Sequence, residues 1–313
     1  MQQSSPWFYL VGLPLVLGCL EVLFAGPGWG HDQEVLSLTF LGHIDLKDLG
    51  PKEPSGVAWG HSEQRKPRLW VVSDDIPKLY VLKETRDEDD QSTFKITKTY
   101  SLSPELTELE GVTMDRFQGA VLVQESTNSI IRLGSDTFKE VEKVPLAEMD
   151  GFDNLQDYFA DATSNKGLEG IAWNATQGTF MGVKEGQPPM LIEMSADLQA
   201  ILHHWILDED RGLTVPGLSQ EKLDISGITY DAHRDVFWLT SDKGQSLFVY
   251  DYHQHKVTQR IPLGYRAGKK GKGVGRYQRI RKAEGVAISP DGVTLTIVSD
   301  KKDSRLYVYA IQE

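Results

Sequence analysis

Apolar residues in this chain fall into short runs separated by polar turns, and the runs recur in groups. Each group opens on a glycine at a strand start: PSGVAW (Gly56), LEGVTM (Gly111), LEGIAW (Gly170), ISGITY (Gly227) and AEGVAI (Gly285). Successive glycines lie 55, 59, 57 and 58 residues apart. So regular a period marks a repeat architecture, in which one supersecondary unit recurs and buries its faces against its neighbours. A second apolar run follows in each unit: LWVVSDD, AVLVQES, FMGVKEG, VFWLTSD and TLTIVSD. The third runs are KLYVLK, SIIRLG, MLIEMS, SLFVYD and RLYVYA, and four units add a fourth: FKITKTYSL, FKEVEKVPL, QAILHHWIL and KVTQRIPL. Val, Ile, Thr and aromatic residues dominate, bounded by Gly, Asp, Asn and Ser, which is the chemistry of strands and hairpin turns.

The fifth unit has three runs, and the fourth is supplied by VLSLTFLGHIDL at residues 35–46. An N-terminal strand completing the last unit closes the ring and covers an exposed sheet edge. The pattern therefore predicts an all-β, five-bladed β-propeller. A sixth, degenerate blade near 147–167 or 208–222 is the alternative, and 152–162 is the one further helical candidate. ETRDEDDQST (84–93) is read as a solvated hairpin tip. About 280 residues follow the N-terminal segment, enough for a single domain over 31–313 with one large core.

Residues 7–25, WFYLVGLPLVLGCLEVLFA, are the one long apolar run, and within 1–30 they read as a signal peptide or membrane anchor. No Lys or Arg precedes the run, and Glu21 interrupts it. Its Cys19 is the chain's one cysteine, so disulfides and zinc–thiolate sites are excluded from the domain beyond it. The expected location is exported, periplasmic or extracellular, with membrane contact confined to this segment.

Charge adds the functional signal. The residues just before the five glycines are Ser55, Glu110, Glu169, Ser226 and Glu284, and both serines follow an acid two positions earlier, Glu53 and Asp224. In a propeller this position lies at one mouth of the channel, and the second strand returns there to end on Asp74, Glu125, Glu185, Asp242 or Asp300. Two unit charges about 6 Å apart repel by roughly 3 kcal/mol at an effective dielectric near 20. Several such groups either take up protons or hold a cation. An all-oxygen donor set points to Ca²⁺ ahead of a transition metal. The bland reading is that these acids serve strand-end amides, and it is favoured for the second-strand set.

Against a net charge of −12, the stretch YRAGKKGKGVGRYQRIRK (265–282) carries eight Lys or Arg. Lys269, Lys270, Lys272, Arg276, Arg279, Arg281 and Lys282 form a candidate anion-binding loop over the acidic mouth. Neutralisation of nearby acids is the alternative reading. No second basic patch or aromatic platform accompanies it, so nucleic acid is not an expected partner. No GxSxG or argued Ser/His/Asp set is present.

The segments LEGIAWNATQGTFMGVKEGQP, ISGITYDAHRDVFWLTSDKG and IRKAEGVAISPDGVTLTIVSD resemble blades of the bacterial SdiA-regulated, YjiK-like family. The resemblance spans about Gly56 to Tyr309, with the first blade matching less closely. It implies an exported or membrane-associated, calcium-linked propeller with no established reaction. A fainter similarity to propeller phytases and lactonases implies a Ca²⁺-dependent hydrolase as the alternative, although lactonase-type Asn ligands are missing from this ring. The expectation is a monomeric, non-enzymatic calcium-binding scaffold whose partner is an anionic small ligand or an envelope protein.

Overall fold

Each second strand is apolar at nearly every position, so both its faces must be covered. The computed structural model, which describes residues 35–61, 65–86, 92–135, 137–160, 167–266, 277–300 and 304–312, shows how. Four antiparallel strands form each of five blades. From the axis outward, blade one comprises Pro54–His61, Pro67–Ser73, Lys78–Arg86 and Ser92–Ser101. Blade two comprises Leu109–Met114, Ala120–Gln124, Ser129–Leu133 and Glu140–Pro145. Blade three comprises Leu168–Asn174, Thr179–Lys184, Met190–Met194 and Ile201–Ile206. Blade four comprises Gly227–Asp231, Val236–Ser241, Ser246–Asp251 and Lys256–Pro262. Blade five comprises Ala283–Ile288, Thr294–Ser299, Arg305–Gln312 and the N-terminal strand Ser37–Asp45.

Alternation along the strands then feeds two junctions at once. In blade one, Trp70 and Val72 point into the cluster shared with blade two, whereas Leu69 and Val71 join the cluster shared with blade five. Three further clusters fill the junctions between blades two and three, three and four, and four and five. The core is thus a set of five interfaces, which is why the inner runs read as continuously apolar.

The N-terminal strand closes the ring as the sequence predicts. It pairs antiparallel with Arg305–Gln312 from Ser37↔Gln312 to Asp45↔Arg305. Arg305 Nε donates to Asp45 Oδ1 at 2.7 Å, and Phe40 packs against Tyr265 and Tyr309 with centroids 4.6 and 5.5 Å away. The described residues form five blades and no sixth. The helical candidate over 152–162 is two turns of 3₁₀ helix, Phe152–Asn154 and Gln156–Phe159, with residues 161–162 outside the described set. Gly151 precedes the first turn in the left-handed region (φ 89°), and the amide bonds that follow close at i→i+3. Residues 208–222 contribute turns and the short Gln220–Lys222. The tip at 87–91 also lies outside the described residues, between paired Arg86 and Ser92.

At the centre the five motif glycines touch in sequence. A Cβ on Gly56 would lie 2.9 Å from Gly111 Cα, one on Gly111 2.8 Å from Gly170 Cα, and one on Gly285 2.6 Å from Ser55 O. Gly170 faces the amide of Ile228 at 3.2 Å, and Gly227 faces Glu284 O and Gly285 Cα. At Gly56, Gly111, Gly227 and Gly285 a Cβ would lie closer to backbone than real Cβ atoms do, and at Gly170 it would be crowded, so the inner strands converge because these positions lack a side chain.

Gly111→Ala and Gly285→Ala are each expected to destabilise the fold by about 2–3 kcal/mol through overpacking against backbone. Gly42→Ala, where a Cβ meets nothing within 4 Å, should stay within about 0.5 kcal/mol of the parent. Denaturant melts of the three variants check this, and equal effects at Gly42 and Gly111 would contradict it.

Candidate functional site

The acidic mouth is built by one backbone device repeated around the ring. The amide of the acid ending the second strand donates to the carbonyl two residues before the ring position. Asp74 N bonds Glu53 O at 3.1 Å, Glu125 N bonds Glu108 O at 2.9 Å, Glu185 N bonds Gly167 O at 3.2 Å, and Asp300 N bonds Lys282 O at 2.9 Å. In blade four the Asp224 side chain takes over, accepting from Lys243 N at 3.0 Å. Each clamp sets a ring residue beside a strand-end acid. Glu53, Glu108 and Lys282 adopt φ of 48°, 54° and 55°, a left-handed conformation that non-glycine residues hold only when surroundings enforce it.

Just after the clamp the pairing register slips. The irregularity falls between Leu109 and Gly111 in blade two, Leu168 and Gly170 in blade three, and Ala283 and Val286 in blade five. A bulge leaves the extra residue out of the ladder and re-aims its side chain. Glu110, Glu169 and Glu284 occupy these bulges, and Ser55 lies in the matching slip between Pro54 and Val57 of blade one. The two serines behave differently: Ser55 Oγ donates to Leu109 O, and Ser226 Oγ donates to Ala283 O at 2.6 Å. They join neighbouring blades where the glutamates face the mouth.

The electrostatics follow from burial. Burial, with Asp74, Glu284, Glu125 and Asp300 nearby, pushes the Glu110 carboxyl up to about 9. Burial raises Glu284 to about 8 despite the opposing Lys282 charge, with Asp242, Asp300 and Glu185 adding to the rise. Asp74 rises to about 6 from burial and from Asp75 and Asp300. Glu169 is only 7% exposed and is held well above the carboxylate range, by burial first and then by Glu110 and Glu125. It shares a hydrogen bond with Glu125, which burial also raises and which accepts the Gly167 amide at 3.0 Å. The two carboxyls share this hydrogen bond as a pair, and burial favours a proton between them.

The remaining sequence-predicted acids are engaged locally. Asp224 accepts from Ser241 Oγ at 2.5 Å and lies 3.7 Å from Lys243 Nζ, which also reaches Glu185 at 3.2 Å. Asp242 Oδ1 accepts the Lys282 amide at 2.6 Å and Gln245 Nε2 at 3.2 Å. Glu53 meets Asp74 and Asp75 in a triad whose ligand oxygens lie within 4.8 Å of one another. Asp75 and Glu108 were not singled out from the sequence, although the doubled acid in SDD was its visible sign.

Of the basic loop, Lys269, Lys270, Lys272 and Arg276 lie outside the described residues. Its flanks pair as Tyr265–Arg266 with Tyr277–Gln278. Arg279 and Arg281 are exposed. Lys282 is drawn to the mouth: burial opposes its charge, but Glu284, Asp242, Asp300 and Glu185 together raise its pKa. Asn174, in a glycosylation-like Asn-Ala-Thr, is buried and caps its turn by accepting the amides of Thr176 and Gln177 at 3.1 Å each.

The raised pKa values make stability depend on pH. Unfolded, the three ring glutamates titrate near 4.5, whereas Glu110 and Glu284 in the fold titrate near 9 and 8. Between those limits the folded chain binds more protons, so their contribution is complete below about 4.5 and is lost as pH rises through 8–9. Lys243 and Lys282, also raised, titrate above that window. In chelator, the melting temperature is expected to fall by on the order of 5 °C between pH 6 and pH 9. Glu110→Gln with Glu284→Gln should flatten the profile, and a parent profile that rises over this range would contradict the assignment.

Comparisons with known proteins agree with this architecture. The chain superposes on glutaminyl cyclase of Myxococcus xanthus with a TM-score of 0.52 at 11% identity, over 88% of this chain and 96% of that one. It aligns with virginiamycin B lyase of Staphylococcus aureus at a TM-score of 0.44 and 11% identity, over 88% and 99% of the two chains. At 11% identity the glutaminyl cyclase superposition shows a shared fold alone. No curated protein sequence matches significantly. The SdiA-regulated family model matches residues 121–308, from the second strand of blade two into the third strand of blade five, and the chain belongs to the SdiA-regulated family.

Proposed function

We propose that this propeller binds a calcium ion at its acidic mouth and acts, after export, as a non-enzymatic binding or scaffold protein. The observation that carries the reading is the meeting of Glu110, Glu169 and Glu284 in a buried ring, where their carboxyls favour protons over charge. A cation at the same place meets the same need. The donors there are carboxylate and backbone oxygens, which suit a hard ion with variable coordination such as Ca²⁺ better than the stricter octahedral Mg²⁺. The triad of Glu53, Asp74 and Asp75 lies beside the ring and gives the ion a second set of oxygens. The apolar run at 7–25 supports export. Arg279, Arg281 and Lys282, on the margin of the mouth, suit an anionic partner.

Calorimetric Ca²⁺ titration of the 31–313 fragment after chelation, with Mg²⁺ as control, tests the reading. One-to-one binding with a higher melting temperature is expected, accompanied by proton release and tighter at pH 8.5 than at pH 6.5, because the ion displaces protons. Glu169→Gln with Glu284→Gln should abolish the response without unfolding the protein. Retained binding in that variant, lost instead in Asp74→Asn with Asp75→Asn, would move the ion to blade one and overturn the central placement. Ca²⁺-stimulated turnover of phosphomonoesters, phytate or lactones would replace the scaffold role with a hydrolase.

A further inference from the structure

The inner strands run from the acidic mouth to the opposite end of the channel, about 20 Å away at about 3.3 Å per residue. There they frame an open cavity of about 640 Å³ lined by all five blades. Three residues after each motif glycine, the equivalent positions are Trp59, Met114, Trp173, Tyr230 and Ile288, and all five line it. Met114 and Ile288 are buried and Trp59, Trp173 and Tyr230 partly exposed, each of the three packed on one side against an aromatic ring of its own blade, Phe94, Phe180 and Phe237.

The rim is fixed by bonds between blades. His61 N donates to Gln118 Oε1 at 3.0 Å, tying blade one to blade two. Trp173 N donates to Thr113 Oγ1 at 3.1 Å, tying blade three to blade two. The Tyr230 and Thr176 hydroxyls meet at 2.5 Å between blades four and three, and His233 Nε2 meets Pro290 O at 2.9 Å between blades four and five. Such a rim is preorganised, which lowers the ordering cost of binding.

Its carboxylate is already satisfied. Asp115, the lining carboxylate, accepts the amides of Phe117 and Gly119 at 2.8 Å each and lies 3.7 Å from Arg132. Arg116 stacks over Phe117 at 4.6 Å. What remains is a wall of partly exposed aromatic residues interspersed with hydroxyl, amide and imidazole groups, with the Arg116 guanidinium at its edge. Thr113 accepts an amide and keeps its proton to donate, and Gln118 engages His61 through its oxygen, which leaves its amino group.

We propose that this second mouth is a binding site for a neutral saccharide. A sugar ring presents apolar C–H faces to aromatic rings and hydroxyls around its equator, and this cavity offers partners for both. A planar aromatic ligand would satisfy the rings and strand the polar groups; a cation would find the lining carboxylate, Asp115, already engaged. Buried Met114 and Ile288 close the cavity on one side, so it takes a free sugar or the end of a glycan chain.

The full protein is titrated with neutral monosaccharides and disaccharides by saturation-transfer NMR and calorimetry, and the same sugars are displayed on a glycan array. A single ring is expected to bind with a Kd of about 1 mM. Binding to soluble sugars identifies a free saccharide, and array binding alone identifies a chain end. Trp59→Ala and Trp173→Ala should each weaken binding by about tenfold, the change corresponding to one lost stacking contact. Gln118→Ala, at an exposed rim position, weakens it without touching the core. Trp205→Phe, on an outer strand, leaves it unchanged. Absence of binding by every neutral sugar overturns the proposal. So does binding indifferent to Trp59, Trp173 and Gln118, or preference for indole over sugars.

Discussion

Five backbones meeting at five glycines set the radius of the ring, and the chemistry at both ends follows from that radius. Gly56, Gly111, Gly227 and Gly285 each face the backbone of the next inner strand at a distance no Cβ tolerates, and Gly170 is crowded against Ile228 at 3.2 Å. Drawing the strands together leaves the residue before each glycine at the narrow end of the channel. Where that residue is Ser, its hydroxyl reaches the adjacent carbonyl and reinforces the closure. Where it is Glu, the bulge turns it out of the ladder and into the company of other carboxylates. The same backbone constraint thus yields a stitch in two blades and a buried carboxyl that holds its proton in three.

The strand-end acids divide their work in a comparable way. Their amides hold the clamps, and their side chains reach the following blade: Glu125 to the Gly167 amide, Asp242 to the Lys282 amide, Glu185 to Lys243. These acids lie close enough to raise the inner glutamates further, so the groups that join the blades also intensify the field at the mouth. Lys243 and Lys282 offset part of it from the rim. Architecture and electrostatics cannot be altered separately here.

Much of the ring was legible in the sequence because its signals are local and repeated. The glycine spacing gave the blade count, the missing fourth run gave the closing strand, and the acid–glycine pairs located one mouth. Less was legible where a residue's role depends on a neighbour nearly sixty positions away. Nothing in SDD tells Asp75 that Glu53 lies opposite, and nothing in LTELEG shows Glu108 held in a left-handed turn under Asp74 O. Trp59, Trp173 and Tyr230 read as strand aromatics destined for the core, and they do pack at blade junctions. Only their common register, three residues beyond the glycines, brings them to one cavity.

The closing strand gives the molecule an unusual folding history. Asp45 and Arg305, paired in blade five, are 260 residues apart in the chain. During synthesis the segment 37–45 emerges early and has no partner until the last strand leaves the ribosome. Loop closure on that scale is entropically slow, and topologies dominated by such distant pairings fold late. The four intervening blades can assemble one against the next, but none can complete the circle. Until it closes, the nascent chain carries two unpaired sheet edges, the surface on which a partly folded chain most readily pairs with another.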